Sequence, residues 1–320
     1  MLAAERGWPA GTLLPGDYRS GFVALIGRPN VGKSTLLNQL VGQKVAITSP
    51  VAQTTRNRLR GILTTHTAQL VLLDTPGIHK PHHLLGQRLV QSARGAIGEV
   101  DVVLLLLDGS QPAGRGDAFV ANLLRQSGQP VQVALNKMDQ AGAGVDATAA
   151  SYAAMLAEAG DPSWPVHPCS ALTGVGCEQL VRALGSALPP GPHLYPPGEV
   201  SDQPEQLLLA ELIREQVLHH TRDEVPHSVA VQVERIMEEE ASRGHGGRTA
   251  VLATVLVERS SQKAILIGRG GSMLRTIGQG ARLHMQKLFD GPVYLELFVK
   301  VVPNWRRHPG RLAELGYRGD

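Results

Sequence analysis

Two cysteines, Cys169 and Cys177, are all the thiol that this sequence of 320 residues contains. That is too few for a disulfide framework, and their spacing is not that of a zinc site. They read as ordinary buried or half-buried thiols in a reducing cytoplasm. Long apolar runs are also missing: the longest uninterrupted aliphatic stretch, Val102 to Leu107, lies between Asp101 and Asp108 and falls far short of the about 18 residues that a membrane-spanning helix needs. The first twenty residues hold Glu5, Arg6, Pro9 and Asp17 and no apolar h-region, which argues against a secretory signal. No internal repeat is visible, and the net charge of +3 is too small to name a partner. What is present is globular: 42% apolar and 18% charged residues exclude wholesale disorder, collagen and coiled coil. The length predicts about two domains.

Short aliphatic runs at Gly21–Ile26, Gln69–Leu73, Val102–Leu107 and Val131–Leu135 alternate with predicted helices at Lys33–Leu40, Leu84–Ile97 and Ala118–Gln126. Strands covered on both faces and alternating with helices imply an α/β fold with a doubly wound, mostly parallel sheet. Six prolines between Pro189 and Pro204 then mark a stiff linker. Beyond it Leu209, Leu212, Ile213 and Val217 form a helical stripe, whereas runs around Val231, Val255 and Leu297 alternate with period two as half-buried strands. The turn Arg243–Arg248 joins the first two strands, and Leu274, Ile277, Ala281, Met285 and Leu288 mark a helix before the third. The expected organisation is an irregular arm (1–20), an α/β domain (21–188), the linker (189–204), a small α+β domain ordered α-β-β-α-α-β (205–303) and a tail (304–320).

Gly27-Arg28-Pro29-Asn30-Val31-Gly32-Lys33-Ser34, followed by Thr35, matches G-x-x-x-x-G-K-[ST] between a strand and a helix. Its glycines let backbone N–H groups curl around phosphate oxygens at a helix N-terminus. Lys33 is expected to reach the β- and γ-phosphates and Ser34 to ligate Mg²⁺. Asp74-Thr75-Pro76-Gly77 follows a strand, so Asp74 can hold Mg²⁺ through water while the Gly77 N–H faces the γ-phosphate. Between them, in Gln53-Thr-Thr-Arg-Asn57, a hydroxyl can complete the Mg²⁺ shell; Thr55 is preferred to Thr54. Asn136-Lys137-Met138-Asp139, at the end of another strand, selects the base: Asp139 can accept both hydrogen bonds that guanine N1–H and its 2-amino group offer, and adenine lacks that pair. Asn136 can brace the loop, the stem of Lys137 can cover the base, and Cys169-Ser170-Ala171 can present an N–H to guanine O6.

These five motifs, in this order, resemble the translation-factor-like GTPases. That resemblance implies a GTP-hydrolysing switch, with GTP or GDP and Mg²⁺ bound and two loops, near 43–60 and 77–85, that order around the γ-phosphate. Ile78 stands where many GTPases place a water-orienting glutamine; His79 and Lys80 are ambiguous substitutes. In GTPases similar to this one, an asparagine at position 30, with backbone carbonyls of the first switch loop, ligates a monovalent cation; K⁺ is the ion expected. The competing reading is that Asn30 hydrogen-bonds its own loop.

Gly268-Arg269-Gly270-Gly271 is a G-x-x-G between two predicted helices. Such a loop clamps single-stranded nucleic acid in KH domains, the alternative being a tight helix–helix turn. Charge favours the clamp: between Glu258 and Asp290 stand Arg259, Lys263, Arg269, Arg275, Arg282 and Lys287 and no acid. Trp305, Arg306 and Arg307 either stack on a base and hold phosphate or pack as a tail on the last strand. His79, His82 and His83 read as a mobile polar loop rather than a metal site.

With Ser20–Asn38, Arg222–Ala230 and Asn304–Arg307 added, everything after about residue 20 resembles the Era-type GTPases, bacterial GTPases with a C-terminal type II KH domain. The resemblance implies binding to the 3′ end of 16S rRNA during 30S subunit assembly, in a GTP-dependent cycle, with peripheral membrane association; a cytoplasmic monomer is expected. GTP is expected to gate RNA release through the second switch and the Pro-rich linker. Two other classes compete. A GTPase coupled to tRNA modification needs a catalytic cysteine, flavin or folate site, and a dynamin-type membrane GTPase needs long helical stalks.

Overall fold

The structure, a computed structural model, describes residues 16–51, 54–56, 58–78, 84–142, 144–239, 248–289 and 291–315. The first half runs β1 (Arg19–Ile26), α1 (Lys33–Val41), β2 (Leu59–Thr64), β3 (Ala68–Asp74), α2 (Leu84–Gly98), β4 (Val102–Asp108), α3 (Arg115–Ser127), β5 (Val131–Asn136), α4 (Val145–Ala159), β6 (Val166–Pro168) and α5 (Cys177–Ala187). Its six strands form one sheet in the order β2-β3-β1-β4-β5-β6, in which only β2 runs antiparallel to its neighbour. Alternate residues of each central strand feed opposite cores: Val23, Leu25, Leu70, Leu72 and Leu104 one face, Ala24, Ile26, Leu73, Leu105 and Leu107 the other. Each buried leucine contributes about 1.5–3 kcal/mol by leaving water, which is why these runs are continuously aliphatic. Every strand of the parallel set ends on the same edge, where the loops after β1, β3 and β5 meet.

The second half runs α6 (Glu205–His220), α7 (Val225–Ser228), β7 (Ala230–Glu239), β8 (Arg248–Val257), α8 (Ser260–Ile267), α9 (Ser272–Phe289), β9 (Val293–Val301) and, after a short turn, α10 (Pro309–Glu314). A three-stranded sheet has β8 central, antiparallel to β7 and parallel to β9, with a bulge at Val233/Arg235. Val251, Ala253, Val255 and Val257 pack with Leu209, Leu212, Ile213 and Val217 of α6 and with Ile277, Ala281 and Met285 of α9. The expected half-buried character fails at β8: Thr254 and Leu256 on its other face are buried as well, because Trp305 and Leu312 fold back over Ala230 and Leu256. The turn expected at Arg243–Arg248 lies, except for Arg248, outside the described residues.

The Pro-rich stretch is strapped to the first sheet. Gln69 accepts the N–H groups of Leu194 and Tyr195, Val200 accepts the Ile62 N–H, and Asp202 pairs with Arg60 at 2.7 Å.

Candidate functional site

Gly32 has φ +99°, and a Cβ there would lie 2.3 Å from the Asn136 side chain, so only glycine fits this turn into α1. From it Lys33 reaches back, its Nζ donating to the carbonyls of Gly27 (3.2 Å) and Arg28 (2.8 Å). Burial pushes the Lys33 ammonium down to about 8, while Asp74 acts in the opposite direction. Arg28 anchors the loop from outside by an ion pair with the buried Asp117 of α3 at 2.7 Å. Pro29, Asn30, Lys33, Ser34 and Thr35 line a cavity of about 340 Å³ together with Ile47–Pro50, Thr54, Thr55, Gly77 and Lys137.

Ser34, Thr55 and Asp74 converge at one end of it. Asp74 Oδ2 accepts from Ser34 Oγ at 2.6 Å and Thr55 Oγ1 at 3.0 Å, and the two hydroxyls are 2.9 Å apart. Asp74 is fully buried, which holds its carboxyl above the ordinary range against the hydrogen bond from Ser34 and the charge of Lys33. Its Oδ1 is buried without a hydrogen-bond partner. Two hydroxyls and one carboxylate with a spare oxygen form a hard, all-oxygen donor set, the kind that suits Mg²⁺ when phosphates and water complete the shell. Among the described residues no cluster of three or more His, Cys, Asp and Glu side chains offers a different metal site. The Thr54 hydroxyl turns away, to the Val51 carbonyl at 2.6 Å. Thr75 is braced by the Leu25 carbonyl, and the buried Ile78 donates its N–H to Gly27 O at 3.2 Å, so Gly77 lies against the phosphate loop. Asn30, at φ +65°, donates its amide to the Pro50 carbonyl at 2.8 Å. Gln53, His79, Lys80, His82 and His83 lie outside the described residues.

The opposite end is built from the loops after β5 and β6. Asn136 donates to Val31 O and accepts the Ala171 N–H, each at 2.8 Å. Lys137, at φ +65°, pairs with Asp108 at 2.7 Å. Burial opposes the charge of Asp108, but the hydrogen bonds from Lys137 and Ser110 hold its carboxyl below the usual range. Met138 donates its N–H to Cys169 O at 3.1 Å, and Ser170 Oγ donates to Asp139 Oδ1 at 2.5 Å. Burial pushes the Cys169 thiol to about 12 and that of Cys177 to about 11, so both stay unreactive. Asp108 escaped the sequence reading because it marked only a strand end.

In the second half the G-x-x-G lies between α8 and α9. Gly268, Gly270 and Gly271 all have positive φ, and a Cβ on Gly268 would come within 2.8 Å of the Met273 backbone. Arg269 and Arg275 are exposed and Lys263 half-buried around this loop. Beside it a groove of about 350 Å³ runs between α9 and β9, lined by Arg275, Gly278, Arg282, Leu295 and Leu297 among others.

Of the two readings open for the tail, the structure favours packing, against Ala230 and Leu256. Trp305 does not offer a face for base stacking: it is fully buried, donates Nε1–H to Ser228 O at 2.9 Å and carries the Arg56 guanidinium 6.0 Å above its ring. Arg306 is likewise committed, to Glu258. The route expected between the halves, through the second switch and the Pro-rich linker, falls in part on residues 79–83, outside the described ones. The Pro-rich stretch binds the edge of the first sheet, and among the described residues the loop before β2 sends hydrogen bonds across to α6 and α7. Lys44 and the Thr48 N–H bind Glu215, Arg214 binds the Thr54 carbonyl, and Arg56 binds the carbonyls of Pro226 and Val229. Ile47 of that loop is buried in the second domain's core. Arg214, Glu211 and Glu215 look like a charged helix face, and the covering loop, with His284 of α9 against Glu215, makes them interior.

Residues 22–137 match the family model described as 50S ribosome-binding GTPase, and residues 224–306 match the KH domain. The chain is 56% identical over 305 residues to GTPase Era of Synechocystis sp., covering 95% of this chain and 94% of that one. It is 46% identical over 301 residues to GTPase Era of Heliobacterium modesticaldum, covering 93% and 97%. Among solved structures, Era in complex with MgGDPNP and nucleotides 1506–1542 of 16S ribosomal RNA superposes with a TM-score of 0.88 at 37% identity, over 94% of this chain and 99% of that one. A variant of Aquifex aeolicus Era bound to GDP·AlF₄⁻ gives 0.86 at 37% identity, over 93% and 99%. With a P-loop GTPase sheet, a KH domain and relatives of this identity along almost its whole length, the chain belongs to the Era family of GTPases.

Proposed function

We propose that this chain is a GTP-driven switch that holds the 3′ end of 16S rRNA in its KH domain and releases it during assembly of the 30S subunit. Membership of the family makes it a GTPase that works with GTP, GDP and Mg²⁺. The observation that carries the switch is the loop before β2: its residues 47–50, 54 and 55 line the phosphate cavity, while Lys44, Thr48, Thr54 and Arg56 are hydrogen-bonded to the segment from α6 to Val229. A loop shared in this way feels the γ-phosphate on one side and the RNA-binding domain on the other.

On this reading Lys33 exchanges the Gly27 and Arg28 carbonyls for β- and γ-phosphate oxygens, and the Gly77 N–H meets the γ-phosphate. Ser34, Thr55 and Asp74 would hold Mg²⁺, which offsets phosphate charge when bound. Asp139 and the Ala171 N–H read guanine. In the KH domain Gly268–Gly271 admit the RNA backbone to the start of α9, and Lys263, Arg269 and Arg275 neutralise its phosphates. Among the described residues no helix is long and apolar enough to cross a membrane; the reading places the protein in the cytoplasm, with peripheral contact to the inner membrane face.

The test is titration of the full chain with an RNA of the 16S 3′-end sequence, in GDP and in a non-hydrolysable GTP analogue. Two different dissociation constants are expected, and Gly270→Asp should weaken both while nucleotide affinity stays at the wild-type level. One constant in both nucleotides would remove the switch. Crosslinking in cells that recovered tRNA instead of 16S rRNA would replace the substrate.

A further inference from the structure

We propose that Arg214, a residue of the RNA-binding half, is a positioning residue of the GTPase site, holding Thr55 where the γ-phosphate and Mg²⁺ meet it. The inference rests on the reading of Thr55 given above. Arg214 has no exposed surface; its Nη2 donates to the carbonyl of Thr54 and its Nε to Glu211 Oε1 at 2.8 Å. The peptide group entering Thr55 is therefore fixed from α6. The residue leaving it is fixed from α7, since Arg56 donates to Val229 O at 2.6 Å and to Pro226 O at 3.1 Å. Between these two anchors the Thr55 hydroxyl meets Ser34 and Asp74.

A buried Arg–Glu pair is weak as a source of stability, because desolvating two charges costs about what their attraction returns, and an apolar pair of the same size often does better. What an apolar pair cannot supply is a directed donor to the Thr54 carbonyl. The arrangement thus spends packing energy on the position of one peptide group. GDP has no γ-phosphate for Thr55 to sense, so loss of this position should be felt by GTP and not by GDP. A merely structural role would touch both alike.

The experiment is a titration of the full chain, in Mg²⁺ and without RNA, with fluorescent GDP and a fluorescent non-hydrolysable GTP analogue. The variant is Glu211→Met with Arg214→Met, which removes both members of the buried ion pair together. Affinity for the GTP analogue should fall about tenfold, the scale of one charge-assisted hydrogen bond, with GDP affinity unchanged. Thr55→Ala should show the same split, and adding it to the double methionine variant should cost little more, since the residues act in series. Unchanged affinity for the analogue, or equal losses for both nucleotides, would overturn the proposal while the RNA titration above could still succeed. A Thr55→Ala variant without the split would overturn the reading of Thr55 and this inference with it.

Discussion

The Asn136 side chain donates to the carbonyl of Val31 at 2.8 Å, and so ties the base-reading loop directly to the phosphate loop. Its carbonyl oxygen accepts the Ala171 N–H, so one buried amide joins three loops. Asn136→Ala leaves a buried carbonyl and a buried N–H without partners, at about 1–3 kcal/mol each. The expected result is a destabilisation of about 2–6 kcal/mol together with weaker binding of GDP and GTP alike. Urea unfolding with and without nucleotide checks it, and a wild-type midpoint would mean that water replaces both bonds.

Base choice should turn on Asp139, which Ser170 holds at 2.5 Å. Asp139→Asn replaces a double acceptor with a mixed group, and should lower GTP affinity about a hundredfold while favouring xanthosine triphosphate, whose 2-oxo group needs a donor. Competition binding with the two triphosphates measures the ratio. An unaltered preference for GTP would remove Asp139 from the base site.

Much of this was legible because the chemistry is local. A phosphate loop, an Asp at a strand end and an Asn-Lys-x-Asp turn are short segments whose function depends on their own backbone, and the sheet brings their ends together as its topology requires. Less legible were elements without a local signal. β2 carries Arg60 and Gly61 inside its strand, β6 is three residues long, and in α4 alanines on every face mask the buried stripe of Tyr152, Met155 and Leu156. The contacts of Arg56, Arg214 and Trp305 were invisible for a different reason. Each side chain reaches across more than 70 residues of sequence, and spacing along a helix does not say which second surface will cover it.

The depressed Lys33 gives a pH dependence with a definite sign. Free protein holds the ammonium at about 8, below its ordinary 10.5, because burial disfavours its charge. Triphosphate favours the charged form and raises that value. Affinity is therefore full below pH 8 and falls as pH rises above it, toward about tenfold per unit, with proton uptake on binding. Calorimetry at pH 9 in two buffers of different ionisation enthalpy should show that uptake in the wild type and none in Lys33→Met. Equal heats in both buffers for the wild type would place Lys33 outside the phosphate site.

Ile78 is buried, its N–H is engaged by Gly27, and its side chain carries no polar atom to orient a water. Asn30, in contrast, stands in the phosphate loop within 2.8 Å of the Pro50 carbonyl, so a side-chain amide and a switch carbonyl already face the same corner of the cavity. Rotation of the amide would present its oxygen beside that carbonyl, and two neutral oxygens next to the β- and γ-phosphates suit a weakly hydrated monovalent cation. K⁺ there would supply the positive charge that an arginine finger provides in other GTPases. Turnover should be slow in NaCl, faster in KCl at the same ionic strength, and indifferent to that exchange in Asn30→Ala. Steady-state rates in KCl, NaCl and a bulky organic chloride decide the matter. Three equal rates would make Asn30 a brace for the Pro50 loop alone and leave hydrolysis dependent on a group supplied by a partner.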